Sequence, residues 1–115
     1  YTHTLAVTER NGMIYTNRGV AHWMMGNFSA AIADINKAIE INPGAALAYL
    51  NLGVAYRSLR DYARSIEAFN KAIEYDPKQA LAYLNRGVAY YKGLTDSRRA
   101  IVDFTKAIEI EPERE

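Results

Sequence analysis

Cysteine is absent from the chain, which removes disulfide frameworks, thiolate metal sites and cysteine nucleophiles together. Histidine occurs only as His3 and His22, and neither belongs to a His-Glu-x-x-His or comparable ligand spacing. No metal, cofactor or catalytic residue is therefore expected, and the chain is not read as an enzyme. Neither sign of charge dominates: 14 basic residues against 13 acidic ones leave a formal +1, and the only adjacent basic pair is Arg98-Arg99. Nucleic acid is not an expected partner, because phosphate binding needs a concentrated basic face. No apolar run approaches the roughly 20 residues that span a bilayer, so no membrane span is expected. No basic–apolar–small leader is read at the start. A beginning at Tyr1 is what a processed protein or an excised piece would show, and a cytoplasmic setting is the default expectation. Half the residues are hydrophobic, enough to build a core in one domain.

What the chain does have is repetition. Asn17-Arg18-Gly19-Val20-Ala21-His22 returns as Asn51-Leu52-Gly53-Val54-Ala55-Tyr56 and again as Asn85-Arg86-Gly87-Val88-Ala89-Tyr90, with a period of 34 residues. Each is followed by a Lys-Ala-Ile-Glu segment, at Lys37, Lys71 and Lys106, and then by a proline, at Pro43, Pro77 and Pro112. The last interval is longer by one residue. Counted with the proline at repeat position 32, glycine falls at position 8, an aromatic usually at 11, a small residue at 20 and alanine at 27. The first segments carry Tyr15, Gly19 and His22 and their equivalents on one helical side. The second segments carry Ile32, Ile35, Ala38 and Ile39 and their equivalents as helix-spaced apolar stripes. Glycine mid-helix costs about 1 kcal/mol against alanine, so three at one repeat position point to close helix approach.

This pattern resembles the tetratricopeptide repeat family over residues 12–112. The resemblance implies an all-α solenoid of three antiparallel helix-turn-helix repeats, 12–45, 46–79 and 80–115, after an N-terminal extension of residues 1–11 that fits no repeat. Helices are predicted at 12–25, 29–41, 46–58, 62–75, 80–92 and 97–110. Two departures are local. Arg60 stands where the family has a turn glycine, and Ser97 stands where Phe28 and Tyr62 stand in the other repeats, with Leu94 expected to fill the space. The last helix has no polar helix after it, which stacked repeats normally need. A longer array or self-association through the open end, giving a homo-oligomer, is the expectation.

The side of each first helix opposite the core stripe carries Met13, Thr16, Asn17, Val20, Trp23 and Met24 in the first repeat. The second has Leu47, Leu50, Asn51, Val54, Arg57 and Ser58, and the third Leu81, Leu84, Asn85, Val88, Tyr91 and Lys92. In the family this side lines a concave groove, so the resemblance implies a protein or peptide ligand there. Asn17, Asn51 and Asn85 sit mid-helix, where asparagine has mediocre propensity and no cap to make. A primary amide has both donor and acceptor and can pair with peptide backbone. Neighbouring helices stand about 10 Å apart, and three residues of extended chain span the same distance. The pattern is similar to the asparagine ladders of O-linked N-acetylglucosamine transferases and of nuclear import receptors; the alternative is that these amides brace neighbouring repeats. Trp23 and Tyr91 read either as aromatic anchors or as packing between repeats, and Met24 and Met25 as gap fillers more readily than as adaptable contacts.

Chaperone-binding members of the family hold a peptide's terminal carboxylate with Lys, Asn, Asn, Lys and Arg at positions occupied here by Thr16, Val20, Asn51, Leu81 and Asn85. Only Asn51 matches, so that ligand is not expected. RNA binding, as in the related 35-residue repeats, is opposed by the prolines, the alanines and the near-zero charge. Self-assembly remains the structural alternative. His22, where the other repeats have Tyr56 and Tyr90, is expected to be a hydrogen-bonded core substitute.

One further expectation comes from covariation within the chain. Position 7 is Arg18, Leu52 and Arg86, and position 23 is Asp34, Ala68 and, allowing for the inserted residue, Asp103. Arginine occurs where aspartate does. In a hairpin that turns midway between them the two positions lie level, so Arg18 should pair with Asp34 and Arg86 with Asp103.

Overall fold

The computed structural model describes residues 2–111, with side chains from residue 10 onward; Pro112 lies outside the described residues. Six helices follow one another: α1 Thr2–Met24, α2 Phe28–Ile41, α3 Ala46–Ser58, α4 Tyr62–Tyr75, α5 Ala80–Val88 and α6 Ser97–Ile110, with a π-helical turn Ala89–Gly93 continuing α5. Among the described residues there is no strand. The all-α repeat architecture expected from the period is what is found. Consecutive helices pair as hairpins, α1 with α2, α3 with α4 and α5 with α6, and the hairpins stack in chain order.

Two boundaries differ from expectation. Helix α1 begins ten residues before the first repeat, since no proline or glycine interrupts residues 2–11 and Gly12 stays helical, its absent Cβ leaving contact distance to Ile41. Helix α5 widens to π geometry over Ala89–Gly93, which is where the extra residue of the third repeat is absorbed. The Asn27 and Asp61 amides donate to the carbonyls of His22 and Tyr56, five residues back, whereas Asp96 reaches six residues back to Tyr90. Leu94 does not fill the space beside Ser97, being 51% exposed. The ring of Tyr62, from the preceding hairpin, lies where a side chain on Gly93 would stand.

The turn at Arg60 keeps the shape of the turn at Gly26. Both residues are left-handed, at φ 63° and 85°, and each amide donates three residues back, to the Arg57 and Trp23 carbonyls. With the 27→22 and 61→56 bonds this is the paired-carbonyl termination that places a left-handed residue just beyond a helix. A side chain there costs about 1 kcal/mol or more, partly offset by glycine's greater freedom when unfolded. Arg60→Gly is accordingly expected to stabilise the chain by about 0.5–1 kcal/mol, read as a rise in thermal midpoint.

The core lies between hairpins. Ile35, Leu52, Ala48, Ala55 and Ala68 join the first to the second, and Leu50, Phe69, Ala72, Ala82 and Ala89 join the second to the third. Alanine is frequent because the helix pairs approach closely. A Cβ on Gly53 would fall 2.4 Å from the Phe69 ring, one on Gly87 2.7 Å from Phe104, and one on Gly19 2.9 Å from Ile35. The three mid-helix glycines are therefore spaces that the second helix of each hairpin fills.

Candidate functional site

The two expected ion pairs hold the hairpins that form the groove. Arg18 donates from Nε and Nη2 to Asp34, both at 2.7 Å. Arg86 donates to Asp103 at 2.9 and 2.7 Å, and from Nη1 to Asn70 at 2.8 Å. Both are two-pronged, the geometry in which a planar guanidinium matches a carboxylate. The Arg18 hydrogen bond, with the arginine's charge behind it, holds the Asp34 carboxyl below its ordinary range despite burial, and raises Arg18 in turn. In the middle hairpin the same positions are Leu52 and Ala68, both buried in the core. His22 is half-buried, and its Nε2 stands 3.7 Å from Asp34 Oδ2, beyond hydrogen-bonding distance, so the expected hydrogen bond is not made there.

The first helices α1, α3 and α5 present their remaining faces side by side. Met13, Leu47, Leu81 and Tyr91 are each more than half exposed there, and Leu84 nearly so. Val20, Val54 and Val88 are half-buried between them, Lys92 is exposed, and Leu50, at 5% exposure, belongs to the core between the second and third hairpins. At the first end, Met13, Thr16, Asn17 and Leu47 line a concavity of about 550 Å³ with the end of α2.

The three asparagines are not equivalent. Asn17 is exposed and Asn51 half-buried. Among the described residues neither side chain has a hydrogen-bond partner, so both amides are available. Asn85 is committed: its Nδ2 donates to the Leu81 carbonyl at 2.8 Å, and its Oδ1 accepts from Arg57 Nη1 at 2.9 Å. Trp23 makes a comparable link, its indole N–H donating to Ser58 Oγ at 2.8 Å, while Ser58 donates to its own helix at Val54. Trp23–Ser58 and Arg57–Asn85 thus tie each first helix to the next. Sequence reading named all four residues without pairing them, because positions 12 and 13 differ in every repeat and give no covariation to follow. Tyr91 has no such link among the described residues.

Among the described residues no three His, Cys, Asp or Glu side chains gather as a metal-binding set, and no helix is long and apolar enough to cross a membrane.

The tetratricopeptide repeat family model matches residues 16–74 and again 50–109. The solved Arabidopsis OM64 TPR domain superposes with a TM-score of 0.88 at 26% identity, over 94% of this chain and 88% of that one. The crystal structure of MamA gives 0.83 at 33% identity, over 91% of this chain and 61% of that one. The first TPR of Spaghetti (RPAP3), solved bound to the HSP90 peptide SRMEEVD, gives 0.87 at 23% identity over 92% and 83%. Of the curated proteins, the SGT1 homolog of Oryza sativa subsp. japonica is 40% identical over 43 residues, which is 37% of this chain and only 12% of that protein. With its period, its hairpin geometry and a family match running from residue 16 to residue 109, the chain belongs to the tetratricopeptide repeat family.

Proposed function

We propose that the chain is a protein-interaction scaffold that holds an extended peptide segment of a partner along the groove formed by α1, α3 and α5. The observation that carries this reading is the row of exposed large apolar side chains on those helices: Met13, Leu47, Leu81, Leu84 and Tyr91. Large apolar side chains left exposed on the same side of successive helices favour an interaction site over ordinary exterior. The free amides of Asn17 and Asn51 supply paired donors and acceptors for peptide backbone. No catalysis is needed for this role. Binding of an HSP90 peptide belongs to the RPAP3 domain; here Thr16, Val20 and Leu81 stand where the chaperone-binding pattern has its own polar residues, and a chaperone tail is not the ligand proposed.

A peptide recovered by display selection on this chain tests the reading. Asn51→Ala is expected to weaken that peptide about threefold to tenfold, the worth of one or two neutral hydrogen bonds, with the melting temperature nearly unchanged. If the substitution melts the array and leaves affinity intact, the asparagines are braces.

A second reading, self-assembly, has an observation of its own. Ile101 and Ile108 on α6 are largely exposed, although their counterparts Ile66 and Ile73 pack in the core between the second and third hairpins. Sedimentation across a concentration range separates the two, because only self-assembly requires a stable oligomer.

A further inference from the structure

Three arginines border the hairpins and the groove, and their charges are treated differently. Arg18 and Arg86 each meet an aspartate in a two-pronged pair. Arg57 is half-buried, yet no carboxylate of the described residues lies within ion-pair distance of it. The one hydrogen-bond partner of its guanidinium among the described residues is the neutral amide oxygen of Asn85. Burial pulls the Arg57 guanidinium below its ordinary value, whereas its carboxylate raises Arg86.

An arginine withdrawn from water without an opposite charge is unfavourable, and buried arginines are normally paired. The groove cannot supply the missing charge. The eighteen positions that the helical period puts opposite the core stripe, from Met13 to Lys92, include two cations, Arg57 and Lys92, and not one aspartate or glutamate; of these Leu50 is itself buried in the core. The link to Asn85 also fixes where the cation sits. Asn85 uses both ends of its amide, one on its own helix and one on Arg57, so the guanidinium is held between α3 and α5 rather than free in solvent. One of its five N–H donors is spent on Asn85, and no other side-chain hydrogen bond of Arg57 is made among the described residues. A fixed, partly desolvated guanidinium with unused donors in an apolar groove is a receptor for a carboxylate.

Resting on the groove reading above, we infer that the segment held between α3 and α5 is acidic, and that an internal Asp or Glu side chain of the ligand completes an ion pair with Arg57. The apolar surfaces of Leu81, Leu84 and Tyr91 then take the flanking residues, and Lys92 favours negative charge beyond them.

The test is a random peptide library displayed with its C-terminus fused, so that any anion recognised is a side chain. It is selected in parallel on the 115-residue chain and on Arg57→Gln, which keeps a donor for Asn85 and removes the charge. Circular dichroism confirms that both are folded. Peptides selected on the unsubstituted chain are expected to share Asp or Glu at one register position, and the synthetic consensus peptide to bind Arg57→Gln about tenfold or more weakly. Arg57→Glu should prefer the peptide whose acid is changed to lysine. Selected peptides that Asn51→Ala weakens but that lack a shared acid would overturn this inference and leave the groove reading standing. Peptides indifferent to both Asn51 and Arg57, or no peptide retained at all, would overturn the groove reading and this inference with it. If Arg57→Glu weakens acidic and basic peptides alike, Arg57 is a brace and the inference fails alone.

Discussion

Asp103→Ala is expected to destabilise the array by about 2–3 kcal/mol, lowering the thermal midpoint by roughly 10 °C. Asp103 is 3% exposed at the side chain and Arg86 21%, so deleting the carboxylate leaves a guanidinium largely out of water. Asn70 and the ring of Tyr83, 5.6 Å away, compensate in part, which keeps the loss at the lower end for a broken buried pair. The double substitution Arg86→Leu with Asp103→Ala copies the middle repeat, where Leu52 and Ala68 pack as core. It should cost less than half as much, because a buried ion pair often adds little over a well-packed apolar one. Asp34→Ala should likewise cost more than replacing Arg18 and Asp34 together. Its effect is smaller than that of Asp103→Ala, since Arg18 is 60% exposed at the side chain and water takes up the released charge. Equal losses for single and double variants in urea titrations would show that the pairing carries no such penalty.

That pair was legible because the sequence contains its own control: three copies of one hairpin, of which two have both charges and one has neither. The same logic made the helices legible: α4 and α6 end two residues before Pro77 and Pro112, and α3 ends where the recurrence of the repeat and its apolar spacing put it. It failed where the copies differ in length. One inserted residue fits anywhere between two matched segments, and nothing in Tyr90-Tyr91-Lys92-Gly93-Leu94 says that the helix will widen rather than the turn lengthen. Nor does that segment show that the Tyr62 ring of the preceding hairpin lies against Gly93, or that Leu94 is left outside. Recurrence placed the asparagines at one repeat position, but equal position did not mean equal freedom. Asn85 is taken by Arg57 because the second repeat alone has a long cation at position 12, and that contact spans 28 residues. A reading of single repeats has no access to it.

Gly53→Ala is expected to lower stability by about 2 kcal/mol although it improves helix propensity. On an isolated helix the change gains about 1 kcal/mol. Here the added methyl would lie 2.4, 2.6 and 2.8 Å from three atoms of the Phe69 ring. Phe69 has no exposed surface and is enclosed by Leu50, Ala72, Ala82 and Ala89, so the ring has nowhere to turn. Nor can the helices separate freely, because the buried Ser65 hydroxyl donates to the Gly53 carbonyl at 2.8 Å, fixing α4 against α3 at that residue. The methyl must therefore force an unfavourable rotamer or break that bond. Overpacking of this kind costs roughly 1–3 kcal/mol, and a stretched buried hydrogen bond adds about 1 kcal/mol; together they exceed the propensity gain. Gly19→Ala should be milder, since its nearest neighbours, Ile35 Cγ1 at 2.9 Å and the Ala31 carbonyl oxygen at 3.2 Å, stand farther off than the Phe69 ring does from Gly53. Phe69→Leu removes the ring atoms that collide, so the loss caused by Gly53→Ala should shrink sharply in that background. The coupling, measured by denaturant unfolding of the two single variants and the double, is expected to exceed about 1 kcal/mol. Additive losses, or a Gly53→Ala chain more stable than the unsubstituted one, would mean that the glycine is not there to let the two helices touch.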